Sequence, residues 1–352
     1  MEVSKRHLFI KIVKHIGIAI LAGIVAVMIL SVMCCFYYVL PIHIENIESN
    51  TDYVWTANAR WIKLTEGIST GQFDAKGYNN SRVIENPDII ILGSSHMEAT
   101  NVMPDKNVGY LLSEKFDGFY TVYNMGISGH DFFKVCQYLP QNLEIYEPKI
   151  VVIETSTVGI FEDNVSQVVH GTVEHTASHS SGLMGTLQKV PFLRLLYQQV
   201  KGGLIDLFIS GGNTSATFTE GKAVQDIDTS LEVEQESYDE LFDYLASWEE
   251  KYNTEIIIFY HPTETIMEDG TIKFEDSEFR TTFATTAEKY GITFVDMTDS
   301  FENMFYEEHH VAHGFATGEL GTGHLNEYGH AAVADSLYDV IMELEGNYKP
   351  CK

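Results

Sequence analysis

Two short segments of this 352-residue chain carry the residue types of nucleophilic catalysis. The first, Ile91 to Thr100 (ILGSSHMEAT), ends an apolar run at Gly93 and hands Ser94 and Ser95 to the following turn. A serine at such a turn presents its hydroxyl beside the unpaired amides of a helix start, which suit a developing oxyanion. The second, Gly323 to His330 (GHLNEYGH), sets His324 just ahead of an amphipathic stretch. An imidazole can take a serine proton near neutral pH and return it to the departing group. The pair therefore points to acyl transfer, with Ser95 as nucleophile in preference to its neighbour Ser94, and His324 as base.

Residues so far apart need a scaffold that converges its loops. Five short apolar runs, Asp88 to Leu92, Phe119 to Tyr123, Ile150 to Glu154, Glu255 to Tyr260 and Thr293 to Asp296, lack polar alternation and predict strands buried on both faces. Helix-period segments lie between and after them: Asp131 to Leu143, Glu232 to Tyr252, Phe279 to Tyr290 and Glu327 to Glu345. Asn326 is placed to cap the last of these and Gly346 to end it. Alternating strands and helices predict an α/β domain with a parallel sheet covered on both faces, whose ligands gather at the carboxyl ends of the strands. That edge receives Ser94 to His96, the small-residue turn Asn124 to Gly129 with a second candidate oxyanion donor at the Gly126 amide, and His261 ahead of Pro262. His96 is a pocket residue or a solvated helix-start histidine, and His261 a substrate contact or a structural residue. Asp296 reads as a cap, and Cys136, on one helical face with Phe132, Leu139 and Leu143, as core.

The combination resembles the SGNH or GDSL hydrolase superfamily over roughly residues 86 to 345. The resemblance implies a three-layer α/β/α, flavodoxin-like domain with a five-stranded parallel sheet. By position, Ser95 takes the nucleophile's place with its own amide as an oxyanion donor, Gly126 takes the second-block glycine, and His324 takes the base in the HLNEYGH string. Two departures stand against it. The third block, Glu154 to Gly159, lacks the family's asparagine, and Gly321 stands where the family has its acid, three residues before the histidine. Orientation of the imidazole then falls to a backbone carbonyl or to Glu319. Losing the orienting acid costs up to about 10⁴ in rate where it has been tested in serine proteases, so a catalytically impaired scaffold that binds glycan or an assembly partner is the competing class.

From Ile16 to Leu40 the chain runs 25 residues without a charge, where about 20 cross a bilayer. Lys5, Arg6, Lys11 and Lys14 precede it and Phe36 to Tyr38 close it, predicting a signal anchor in the plasma membrane with a cytoplasmic amino terminus and an extracytoplasmic remainder. The expected layout is residues 1–15 inside, 16–40 spanning, 41–85 as a juxtamembrane linker, and 86–348 as the catalytic domain with an insertion at about 159–230. Net charge is −28, and the residues beyond 41 hold 18 basic against 49 acidic side chains. That field repels nucleic acid and favours a neutral glycan or acyl-ester substrate. By resemblance to the membrane-anchored branch that decorates cell-surface polymers, such as the D-alanyl-lipoteichoic-acid D protein and alginate O-acetylation proteins, a membrane-bound O-acyltransferase is the expected partner and acetyl the preferred acyl group. His309, His310 and His313, joined by His324, raise a metal-site alternative, but no HExxH or paired-cysteine spacing accompanies them. No metal and no cofactor is expected.

Overall fold

The computed structural model describes residues 2–37, 43–44, 54–55, 57–63, 66–171, 190–193, 196, 235–274 and 278–347. Most of the insertion expected at 159–230 lies outside these. The chain divides into two compact units, residues 1–42 with 178–220, and residues 43–177 with 221–352.

In the first unit, α1 (Glu2–Tyr37) is a continuous helix. Its segment Ile10–Cys34, 25 residues, is long and apolar enough to cross a membrane. Lys11 and Lys14 lie within this segment, ahead of the charge-free run that starts at Ile16, and long stems can carry such ammonium groups toward an interface. Tyr38 to Leu40 fall outside the described residues.

The second unit is built on a five-stranded, wholly parallel sheet. Its strands are β3 (Ile89–Leu92), β4 (Val122–Asn124), β5 (Ile150–Thr155), β6 (Glu255–Tyr260) and β9 (Thr293–Asp296), in the order β4-β3-β5-β6-β9. Counted along the chain this is 2-1-3-4-5, the flavodoxin-like doubly wound order. Side chains alternate between the two faces, as the period of a strand requires. Ile90, Leu92, Val151, Ile153, Ile256 and Ile258 pack with α4 (Phe132–Tyr146), α5 (Glu162–Val169), α6 (Gln235–Tyr252) and α7 (Glu278–Tyr290). Ile89, Ile91, Ile150, Val152, Ile257 and Phe259 pack with α3 (Val108–Phe116) and α8 (Glu327–Asn347). Both faces are dry, which is why the runs read as continuous apolar sequence.

Three boundaries differ from expectation. The second strand begins at Val122, not Phe119, whose ring is exposed. The last helix runs through Gly346 to Asn347, since glycine weakens a helix without forbidding it. Most consequential is the stretch expected to be a linker. There β1 (Arg60–Lys63) and β2 (Ser69–Gln72) form an antiparallel hairpin, and Phe73 and Tyr78 are buried. This stretch belongs to the same compact unit as the sheet.

Candidate active site

β3 ends at Gly93, and α2 (Ser95–Glu98) begins at once with Ser94 as its cap, whose hydroxyl oxygen accepts from the His96 amide at 3.3 Å. Gly93 is required by packing: a Cβ there would sit 2.5 Å from Met97 Cγ and 2.7 Å from Glu154 Oε2. Ser95, at the first helical position, is buried. The single turn stops at Ala99 in the left-handed region, φ 53°. This strained turn is held by the segment before the sheet. Ser69 Oγ donates to Thr100 O at 2.5 Å, Asn79 Nδ2 to Glu98 O at 2.8 Å, and Trp55 Nε1 to Glu98 Oε2 at 2.7 Å. Glu98 also accepts from the Ser128 amide at 2.9 Å; burial pushes its carboxyl upward against these donors.

The Gly126 amide, the second oxyanion donor expected from the sequence, is engaged within its own turn. It donates to Asn124 Oδ1 at 3.0 Å. The glycine is also needed for packing, since a Cβ on it would lie 2.3 Å from the backbone carbon of Met97. Gly126 is therefore the surface on which α2 rests.

His324 lies near the end of β11 (Leu320–Leu325), which pairs with β10 (His313–Gly314). Its orienting group is Glu66, at the tip of the β1–β2 hairpin. Glu66 Oε2 faces His324 Nδ1 at 2.9 Å, and Oε1 accepts from the His324 amide at 3.2 Å. The hydrogen bond from His324 holds the Glu66 carboxyl below the usual carboxylate range, against its partial burial. Two glycines admit this contact. Gly323, at φ 81°, has Glu66 Oε1 2.0 Å from where a Cβ would be, and Gly67, at φ 101°, has Asn101 O at 2.1 Å. Asn101 Nδ2 donates to Glu66 O at 2.7 Å, tying the hairpin tip to the chain just after α2. Glu319, the acid expected here, is exposed, and the 258-residue separation of Glu66 from His324 concealed the real partner.

His96 joins the two halves. Its Nδ1 accepts from the Leu325 amide at 3.2 Å, and its ring centroid is 5.2 Å from that of His324 and 4.4 Å from that of His261. It is half-buried and packs among the other histidines of this edge. Burial, followed by the neighbouring His261, pushes its pKa well below the ordinary histidine value. Ser95, covalently adjacent, shares this edge with His324.

Glu154, the first residue of the expected third block, is almost fully buried. Its Oε2 accepts from the Ser94 amide and its Oε1 faces His261 Nε2, both at 2.6 Å. Burial, followed by the neighbouring His313, pushes the His261 pKa well below the ordinary histidine value, and His261 Nδ1 faces His313 Nε2 at 3.1 Å. Of the histidine tract at 309 to 313, His313 alone joins this cluster. His309 is exposed at φ 60°, and His310 stacks on Tyr328 at 3.7 Å. Asp296 is a cap, accepting from the Thr298 amide at 2.9 Å, and Asn326 caps α8 through the Tyr328 and Gly329 amides at 2.9 and 3.2 Å.

No family model and no curated protein matches this sequence. Among solved structures, similarity is found to the acetyl xylan esterase AlAXEase, 13% identical, covering 72% of this chain and 99% of that one at a TM-score of 0.37. The psychrotrophic esterase EstA from Pseudoalteromonas sp. is 14% identical, with 73% and 98% covered at 0.36. A two-domain esterase active on acetylated mannans is 14% identical, with 75% and 50% covered at 0.39. At such identities and scores the likeness assigns neither family nor activity to this chain.

Proposed function

We propose that this protein is a serine esterase or O-acyltransferase of SGNH type, acting through Ser95, His324 and Glu66. The observation that carries the reading is the 2.9 Å contact of Glu66 Oε2 with His324 Nδ1, on a histidine that shares its edge with Ser95. A carboxylate on Nδ1 fixes the proton there and leaves Nε2 as the base. Ser95 Oγ attacks the acyl carbonyl as His324 takes its proton. The Ser95 amide supports the oxyanion. Collapse expels the alcohol, protonated by His324, and leaves an ester on Ser95. Water or a sugar hydroxyl then gives up a proton to His324 and takes the acyl group, which distinguishes esterase from transferase. With an orienting carboxylate supplied by Glu66, the catalytic reading gains over the impaired scaffold.

The physiological setting belongs to the same proposal. The α1 helix anchors the protein in the plasma membrane with its amino terminus in the cytoplasm, by the basic residues that precede the span. The active unit then works outside, on acyl esters, preferentially acetyl, of a cell-surface polysaccharide. A membrane-bound O-acyltransferase supplies the acyl group when the reaction runs as a transfer. The net charge of −28 favours a neutral glycan acceptor.

The full chain in detergent, treated with a fluorophosphonate and assayed on p-nitrophenyl acetate, tests the chemistry. Labelling and turnover disappear in Ser95→Ala, collapse in His324→Ala, and persist in Ser94→Ala. In Glu66→Gln, kcat falls by about 10²–10⁴ with the fold intact, because the imidazole loses its fixed tautomer. Labelling of a folded Ser95→Ala variant at the native rate rejects the mechanism.

A further inference from the structure

The histidine cluster beside α2 is not used by the mechanism above. His96, His261 and His313 come from the ends of three different elements, and each offers a ring nitrogen within 4.8 Å of the others. His261 and His313 are each 1% exposed. From these positions and the carboxylates behind them, we propose that His96, His261 and His313 bind a zinc ion.

The hydrogen-bond arithmetic of the cluster asks for a cation. His261 Nε2 faces Glu154 Oε1 at 2.6 Å, so the proton belongs on Nε2 and a lone pair on Nδ1. That lone pair faces His313 Nε2 at 3.1 Å. If His313 Nε2 donates to it, a second lone pair is left on His313 Nδ1, 3.6 Å from a Glu264 oxygen that is itself an acceptor. The outcome is visible: His313 Nδ1 and Glu264 Oε2 are both buried and without a hydrogen-bond partner among the described residues. An ion between the two rings resolves this. His313 then carries its proton on Nδ1, toward Glu264, and both facing nitrogens present lone pairs to the metal. His261 and His313 each gain a carboxylate behind and a cation in front, the arrangement that orients zinc ligands.

Charge and distance agree. Glu154 and Glu264 are 2% and 0% exposed, and neither pairs with a lysine or arginine among the described residues. A divalent ion balances both. Zinc bonds of about 2.05 Å at tetrahedral angles set two ligand nitrogens about 3.3 Å apart, against the 3.1 Å observed here. His96 completes a three-histidine set by exchanging its 3.2 Å contact with the Leu325 amide for the metal. Imidazole donors suit zinc, and a fourth position stays open at the edge that carries Ser95.

Zinc uptake is read on the full chain in detergent, stripped with a chelator, reloaded, and analysed for bound metal after gel filtration. The expected result is one zinc per chain and a melting temperature raised by several degrees on loading. Cobalt(II) in its place gives the visible absorption of a tetrahedral site. The double variant His261→Gln/His313→Gln loses the zinc and the cobalt spectrum, and His96→Gln, at a half-buried position, weakens both while remaining folded. A folded wild-type chain that takes up no stoichiometric zinc overturns the proposal. So does uptake unchanged in the double variant, which would put the ion on exposed histidines such as His309. Zinc uptake does not depend on the acyl chemistry: Ser95→Ala keeps it, so either reading can fail without the other.

Discussion

In the proposed mechanism Glu66 is the residue on which the chemistry turns, and its neighbours explain why a carboxylate 258 positions away reaches His324. Gly323 leaves the space, Gly67 makes the bend, and Asn101 fixes the hairpin tip. A second acid, Glu249, illustrates what burial does without a cation beside it. Its Oε1 accepts from the Ile256 amide at 2.7 Å, yet burial pushes its pKa up to about 7. A carboxyl whose folded value exceeds its unfolded value of 4.5 stabilises the fold fully below that lower value. The contribution is lost as pH rises through about 7. Glu249→Gln keeps an acceptor for Ile256 and removes the titration. We expect it to raise the melting temperature at pH 8 relative to wild type and to leave it unchanged at pH 4. The full shift corresponds to about 3 kcal/mol, and partial solvent access scales this to about 1 kcal/mol. Parallel melting curves at the two pH values check it; an equal effect at both would rule out this titration.

At the scale of elements, the site hangs on a one-turn helix too short to stand alone. α2 is held by side chains from the stretch preceding the sheet and by the floor that Gly126 provides. A methyl group on that floor meets backbone, not a flexible side chain, so it cannot be accommodated cheaply. Gly126→Ala is expected to destabilise the protein by about 1–3 kcal/mol, as overpacking does, and to lower kcat more than it raises KM. Urea melts and steady-state kinetics measure the two effects. Native stability in this variant would mean that α2 shifts freely on its support. The strands and long helices were legible because apolar runs and 3.6-residue stripes are local patterns. The β1–β2 hairpin was not, because Trp61 and Phe73 follow no strand alternation that separates them from a membrane-proximal linker.

For the whole molecule, α1 and the acidic remainder predict different things. The 25-residue segment Ile10–Cys34 is long and apolar enough to cross a bilayer, and the proposed anchor would hold the chain there against loss of peripheral contacts. Washing membranes with alkaline carbonate should therefore leave the full chain in the pellet, while a chain lacking residues 1–37 is released. Recovery of the full chain in the supernatant would remove the anchor from the proposed function. The sheet order 2-1-3-4-5 brings β3, β5 and β6 side by side, and their carboxyl ends supply Ser95, Glu154 and His261 to one edge.

The sequence by itself determined the α/β alternation, the apolar amino-terminal helix, and Ser95 and His324 as residues suited to one reaction, because hydrophobic period and residue chemistry are written locally. Only the tertiary structure decided which carboxylate serves His324, what Gly126 supports, and that His96, His261 and His313 converge. Those facts depend on distances between residues far apart in the chain. Hydrogen bonds, buried charges and close backbone approaches are set by folding in three dimensions, and no spacing along the sequence records them.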